Sequence, residues 1–279
     1  MSLSVNTNVT SMNAYNQLGR TRDALATSFA RLASGMRINS AADDAAGLGI
    51  AKSMNAQIRS LAAAERNTND GISMLQTADG GAEQIHSLLT RMRELAVQSS
   101  NASLGTDDRT NIDKEYQASL SEIDRITNSV TFNGINLLNG DSTQPAQQYT
   151  FQVGIGTSAN DQVTIAFGGA DSTELDVTGT DLTDVTKSQT AITKLDAAIK
   201  ELSGVRASFG ASMNRFSATV VSLQSMQTNT AASLSRIQDT DVASETAQLS
   251  KNQVLSQAGA AILAQANQTP QLAMSLLRG

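Results

Sequence analysis

The stretch YNQLGRTRDALATSFARLASGM, residues 15–36, decides the fold. Leu18, Leu25 and Leu32 return every seven residues, and Tyr15, Phe29 and Met36 stand three before or four after them, so that only Arg22 interrupts an a/d seam. A seam of that kind asks for a second helix. The other end of the chain offers one: across 242–279, Val242, Leu249 and Leu263 keep the seven-residue phase, flanked by Leu255 and Ile262. Segments 1–42 and 242–279 are therefore expected to pair as a terminal coiled coil. One helix pair buries a single narrow strip, whereas ordering each residue costs about 1–2 kcal/mol of backbone entropy. The rest of the burial has to come from neighbouring copies, which makes the chain a polymer subunit by expectation.

Composition supports that reading. Of 279 residues 40% are hydrophobic but only 3% aromatic, with no Trp. Helical bundles pack with Ala, Leu, Ile and Met alone, while ligand pockets lean on aromatic walls and a few convergent polar groups. No Cys means no disulfide, thiolate metal site or thiol nucleophile, and the one histidine, His86, lies between Ile85 and Leu88 as a plain helix position. No catalysis, metal or cofactor is expected. The formal charge of −6 is concentrated between Arg125 and Lys187, where no basic residue offsets Asp141, Asp161, Asp171, Glu174, Asp176, Asp181 and Asp184. This acidic middle reads as a solvated module rather than a calcium loop, because no D-x-[DN]-x-[DN]-G pattern occurs. No basic patch with interleaved aromatics points to nucleic acid, and no apolar run approaches the ~18 residues of a membrane anchor. The opening MSLSVNTNVT has neither the basic nor the apolar region of a cleaved signal peptide.

Pro occurs only at Pro145 and Pro270, so long helices are permitted. The first is expected from about Asp43 to Ser99 on the stripe Ile50, Met54, Ile58, Leu61, Ile72, Leu75, Ile85, Leu88, Met92 and Leu95, with Gly80-Gly81 as a local break. Thr106, Asp107 and Asp108 start a second helix, with Ile112, Tyr116, Leu120, Ile123 and Ile126 on one face, folding back on the first. After Val130 the period changes to two: Asn133-Gly134 and Asn139-Gly140 are turn dipeptides, and Tyr149, Phe151, Val153 and Val163, Ile165, Phe167 alternate as strands. The run from Gly154 to Ala159 fits G-x-G-x-x-[GA], but a strand and not a helix follows, so it reads as a hairpin turn. From Asp184 a third long helix carries Ile192, Leu195, Ile199, Leu202, Val205, Phe209, Met213, Phe216, Val220, Leu223 and Met226. The expected fold is mainly α: a long antiparallel helical rod of terminal coiled coil (1–42, 242–279) plus helical bundle (43–130, 184–241), with a small acidic β-hairpin region at 131–183.

Over essentially its whole length the chain resembles a bacterial flagellin. The resemblance rests on SVNTNVTSMNAYNQL near the start, RLASGMRINSAADDAAGLGIA (31–51), NTNDGISMLQTADG (67–80), RMRELAVQSSN (91–101), SEIDRITNSVTFNGINLL (121–138) and the carboxyl stretch from Arg236 onward. It implies a filament subunit exported unfolded by the flagellar type III system and polymerising beneath a cap. Its partners would be its own copies, an export chaperone, and cap and hook-associated proteins. The terminal helices would be disordered in the monomer and line the inner tube; the other helices and β region would form the outer tube without separate outer domains. RMRELAV is similar to the epitope read by the host Toll-like receptor for flagellin, which carries over to Arg91, Leu95 and Glu115, with Arg93 and Glu94 nearby. On its own periodicity, Leu95 belongs to the core stripe. A hook-filament junction protein and a polysaccharide-binding adhesin using the acidic middle are the competing readings.

Overall fold

A chain rich in Ala, Leu, Gln and Ser, with prolines only at 145 and 270, can propagate helices over many turns, and it does. The structure, a computed structural model, describes residues 7–139 and 147–278, with side chains for 7–139 and 148–268. Five helices follow one another: α1 (Val9–Ser34), α2 (Ala45–Ser99), α3 (Thr106–Ser129), α4 (Val185–Gln238) and α5 (Val242–Arg278). Between α3 and α4 lie two antiparallel hairpins, β1 (Thr131–Phe132) with β2 (Ile135–Asn136), and β3 (Gln147–Gln152) with β4 (Gln162–Phe167). Contacts divide the chain into two compact units, Met1–Ile58 with Asn229–Gly279, and Arg59–Thr228.

In the second unit α2 is antiparallel to α3, as Ser99 with Arg109 and Arg91 with Glu115 show, and to α4, as Arg93 with Asp196 and Asp79 with Arg206 show. Most of the stripe residues expected on these helices form one core, with Leu75, Ile85, Met92 and Leu95 from α2, Tyr116 and Ile123 from α3, and Leu195, Leu202, Phe209 and Phe216 from α4, while Leu61 and Leu223 make a second cluster with Ala64 and the stripe residues Ile50 and Met226 are exposed. Gly80-Gly81 does not break α2, contrary to expectation. Gly81 is buried, and a Cβ there would lie 2.7 Å from Val130 and 2.8 Å from Leu138, so the missing side chain lets the β1–β2 region close onto the helix. Gly80 faces open space and is simply tolerated.

Asn133 and Gly134 both take positive φ, 49° and 78°, which is the geometry a two-residue hairpin turn demands. Asn139-Gly140 extends outside the described residues. In β4 exposure alternates strictly, with Val163, Ile165 and Phe167 inward. The scarce aromatics concentrate here: Tyr149 meets Phe167 edge-on at 5.7 Å, and Phe151 and Phe167 meet Phe216 and Phe209 of α4, each at 5.5 Å. The Gly154–Ala159 run is a hairpin turn, as expected. Side chains at Gly154 or Gly156 would collide with Asp161, whose carboxylate accepts from the Ser158 backbone and hydroxyl.

The strands end at Phe167. Residues 168–184 form an irregular strap along α3, held by side chains that answer its backbone. Asp124 accepts from the Ser172 N–H at 2.9 Å, Gln117 donates to the Thr180 carbonyl at 2.8 Å, and Asp113 accepts from the Leu182 N–H at 2.8 Å. Tyr116 is fully buried with its hydroxyl 2.6 Å from Thr180. Thr180 donates its one proton to the Val177 carbonyl, so Tyr116 is the donor between them. Burial raises the Tyr116 phenol above its ordinary value. The acidic residues here are less free than composition implied: Asp181 pairs with Lys187 at 2.8 Å and Asp176 with Lys194 at 3.0 Å.

The two adjacent glycines should respond oppositely to alanine. Gly81→Ala overpacks the contact with Val130 and Leu138 and should destabilise by about 1–3 kcal/mol, whereas Gly80→Ala should stabilise by roughly 0.5–1 kcal/mol through helix propensity. Urea unfolding of the two variants, followed by far-ultraviolet circular dichroism, distinguishes them.

Candidate assembly surface

The terminal helices pair antiparallel within the first unit. The Asn8 amide donates to the Ala266 carbonyl at 2.8 Å, the Ser11 hydroxyl to Asn267 at 2.8 Å, and Arg31 faces Glu245 at 3.7 Å. Near the ends of α1 and α4 the backbone closes a short bridge, Met36 against Asp239, with the Arg37 N–H donating to the Gln238 carbonyl at 2.6 Å. Leu18 is buried and Leu25 and Leu32 half-buried, as the heptad predicted.

The companion row differs from expectation. The seam of α1 is completed by Ser11, Ala14, Thr21 and Ser28, and that of α5 by Glu245, Leu249, Asn252, Ser256, Gly259, Leu263 and Ala266. Four residues expected in the seam point outward: Phe29 (54% exposed), Val242, Leu255 and Ile262 (58%). Tyr15, at 68%, does the same. The leucine heptad admits a second row either three or four residues on. Reading by hydrophobicity picks the large row; packing picks the small one, because the helices approach closely. A Cβ at Gly259 would sit 4.0 Å from the Leu18 Cβ, a separation that bulky neighbours would prevent.

The outcome is a pair with apolar side chains on its outer surface. On α1, Met12, Tyr15 and Phe29 follow the rejected row, with Gly19, Arg22 and Ala26 between them at the same steps of three and four. On α5, Val254, Leu255 and Ile262 are 45–65% exposed. Large apolar groups repeated at helical spacing along an exposed face mark a surface made to be covered.

In the second unit Arg91 and Glu94 of RMREL come together with Glu115, while Arg93 and Leu95 turn elsewhere. Arg91 bridges Glu115 at 2.8 Å and Glu94 at 3.0 Å, and all three are exposed. Arg93 reaches across to α4 and Asp196 at 2.6 Å. Leu95 is only 2% exposed and belongs to the core, so it cannot be offered to a docking partner as a surface contact. The helical phase that carries Leu75, Met92 and Leu95 inward leaves the neighbouring arginines outside. Asp196 escaped the sequence reading because it lies 103 residues from its partner in the chain. Hydrogen bonds to Glu115 and then Glu94 raise the Arg91 guanidinium, and the hydrogen bond from Arg93 holds the Asp196 carboxyl below its ordinary value.

A carboxyl lowered in the fold contributes stability above its ordinary pKa and loses that contribution as pH falls through the lowered value. NMR titration should therefore find Asp196 below the ordinary carboxylate range, and Arg93→Ala should return it upward. An unchanged Asp196 in that variant would show that the pair does not form in solution.

Among the described residues no helix is long and apolar enough to cross a membrane, and no group of three or more His, Cys, Asp or Glu is placed to hold a metal. The bacterial flagellin N-terminal helical region matches residues 5–143 and the C-terminal helical region residues 192–277. The chain is 40% identical to the flagellin of Halalkalibacterium halodurans over 276 residues, covering 98% of this chain and 99% of that one. It is 37% identical to the flagellar filament 33 kDa core protein of Treponema phagedenis, again covering 98% and 99%. The crystal structure of Bacillus cereus flagellin superposes with a TM-score of 0.50 at 35% identity, over 61% of this chain and 94% of that one. With matching regions at both ends and relatives of nearly equal length, the chain belongs to the bacterial flagellin family, the structural subunits of the extracellular flagellar filament.

Proposed function

We propose that in the filament the outward rows of α1 and α5 are the surfaces by which neighbouring copies hold one another, so that each terminal helix serves two seams. The small-residue seam joins α1 to its own α5, and the row Met12, Tyr15 and Phe29, with Val254, Leu255 and Ile262, meets other subunits. The observation that carries this is the outward placement of those apolar side chains on both members of one helix pair. Each such contact is weak, and repetition along a lattice adds them. Segments 1–42 and 242–279 would then line the inner tube, ordered only on assembly. Segments 43–130 and 184–241 with 131–183 would make the outer tube.

The same reading takes in export of the unfolded chain by the flagellar type III system, and dealings with an export chaperone, the cap and hook-associated proteins. Flagellin relatives matched over nearly their whole length favour the filament over the hook-filament junction. An adhesin role for the acidic middle loses ground as Asp161, Asp176 and Asp181 are engaged within the fold.

Phe29→Asp with Ile262→Asp tests the proposal. Negative-stain microscopy should show filaments from the seeded parent chain and none from the double variant, while circular dichroism of the Arg59–Thr228 unit's helices is unchanged. Filaments from the double variant at parental yield would sink it.

A second reading concerns the host. We infer that the Toll-like receptor for flagellin would read the exposed Arg91 and Glu115, with Arg93 and Glu94 beside them, while Leu95 supports them from beneath. Arg91→Ala should then lower receptor signalling by monomers about 10-fold or more, the loss expected of an interface anchor. Leu95 would act through packing, so Leu95→Met should leave signalling near parental. The reverse ranking would refute the assignment.

A further inference from the structure

Among the described residues, the α1–α5 pair buries two side-chain nitrogens without a hydrogen-bond partner, Asn252 Nδ2 and Arg31 Nε. Asn252 is 5% exposed, and its side-chain nitrogen has no hydrogen-bond partner. The contacts that place Asn8 at Ala266, Leu18 at Gly259 and Arg31 at Glu245 set the antiparallel register, and by that register Asn252 lies level with Leu25, between Thr21 and Ser28. The Thr21 hydroxyl donates to the Gln17 carbonyl of its own helix, and Ser11 and Asn8 bond across to α5. Arg31 Nε shares the lack of a partner, at the far end beside Glu245. Asn252 is the case in the middle of the seam, where an apolar side chain of nearly the same shape would have extended the strip formed with Leu249 and Leu25.

An unsatisfied buried amide weakens the pairing that buries it, and replacing it with an apolar group of like shape strengthens that pairing. The seam is already thin, with serine, threonine and glycine where other coiled coils carry leucine. We propose that Asn252 sets the strength of the α1–α5 pair, keeping it marginal in a solitary chain so that the helices order only when further copies cover their outward faces. This rests on the proposed role of those faces in the filament. Its consequence is a coupling: a pair too weak to close alone does not display an ordered apolar surface before a growing end is met, and unseeded polymerisation is suppressed.

The test uses the full chain, dilute and unassembled, with hydrogen exchange read separately for amides in 9–34 and 242–268 and for those in 59–228 as an internal control. Asn252→Leu should raise protection in both terminal helices about 10-fold or more, leave 59–228 unchanged, and shorten the lag of unseeded polymerisation. Asn252→Met, with a more pliant side chain, covers the case in which leucine overfills the seam. Asn252→Gln keeps an amide while gaining as much helix propensity as leucine provides, and should not raise protection. Equal protection in parent, Leu and Met chains would overturn the proposal, as would a rise in the Gln variant matching that in Leu. If protection follows the prediction but neither parent nor variant ever forms filaments, the assembly role of the outer faces fails while the effect of Asn252 on the pair stands.

Discussion

One helix cannot turn its leucines and its aromatics to the same partner when they lie on adjacent rows. In α1 the leucine row at 18, 25 and 32 can share a seam with Thr21 and Ser28 or with Arg22 and Phe29, but not both. The close approach seen at Leu18 and Gly259 selects the small row, and everything else about the first unit follows from that choice. Tyr15, Phe29, Leu255 and Ile262 are turned out, the seam is left polar at Thr21, Ser28, Asn252 and Ser256, and the apolar area lost to the pair becomes available to other copies. In an ordinary monomeric domain this distribution would be a defect. In a filament, on the function proposed above, it would divide the work between a weak internal contact and repeated external ones.

The second unit is built on the opposite principle. Its helices bury large side chains against each other, and its few aromatics gather where β3 and β4 meet α4, at Tyr149, Phe151, Phe167, Phe209 and Phe216. The strap from 168 to 184 has no ladder of its own, so Asp113, Gln117 and Asp124 of α3 satisfy backbone groups that would otherwise be buried without partners. Ion pairs such as Arg206 with Asp79 and Glu83, and Arg93 with Asp196, tie α4 to α2 from the surface. Here the chain needs no second copy to complete its core.

Much of this was legible in the residues. Helix extents came from the three-four spacing and, for α1 to α4, from the absence of proline, and the strands from the switch to a period of two around Tyr149 and Val163. The Gly154–Ala159 run was recognisable as a turn because no helix follows it. What failed was the inference from size to burial: Phe29, Val242, Leu255 and Ile262 are large and apolar yet exposed, while Thr21 and Asn252 are polar yet buried. Gly80-Gly81 misled for a related reason, since glycine lowers helix propensity but also permits close approach, and only a neighbour such as Val130 shows which effect matters.

The sequence by itself determined that the chain is mainly helical, that its two ends are matched, and that it matches flagellins from one end to the other, because heptad period, turn dipeptides and motif order are local or collinear properties. The tertiary structure alone decided which row of each terminal helix is the seam, that Leu95 lies under the surface carrying Arg91 and Glu115, and that Asn252 is buried with no partner for its side-chain nitrogen among the described residues. Those outcomes depend on how near two backbones come and on residues more than a hundred positions apart, and helical spacing along one segment holds no record of either.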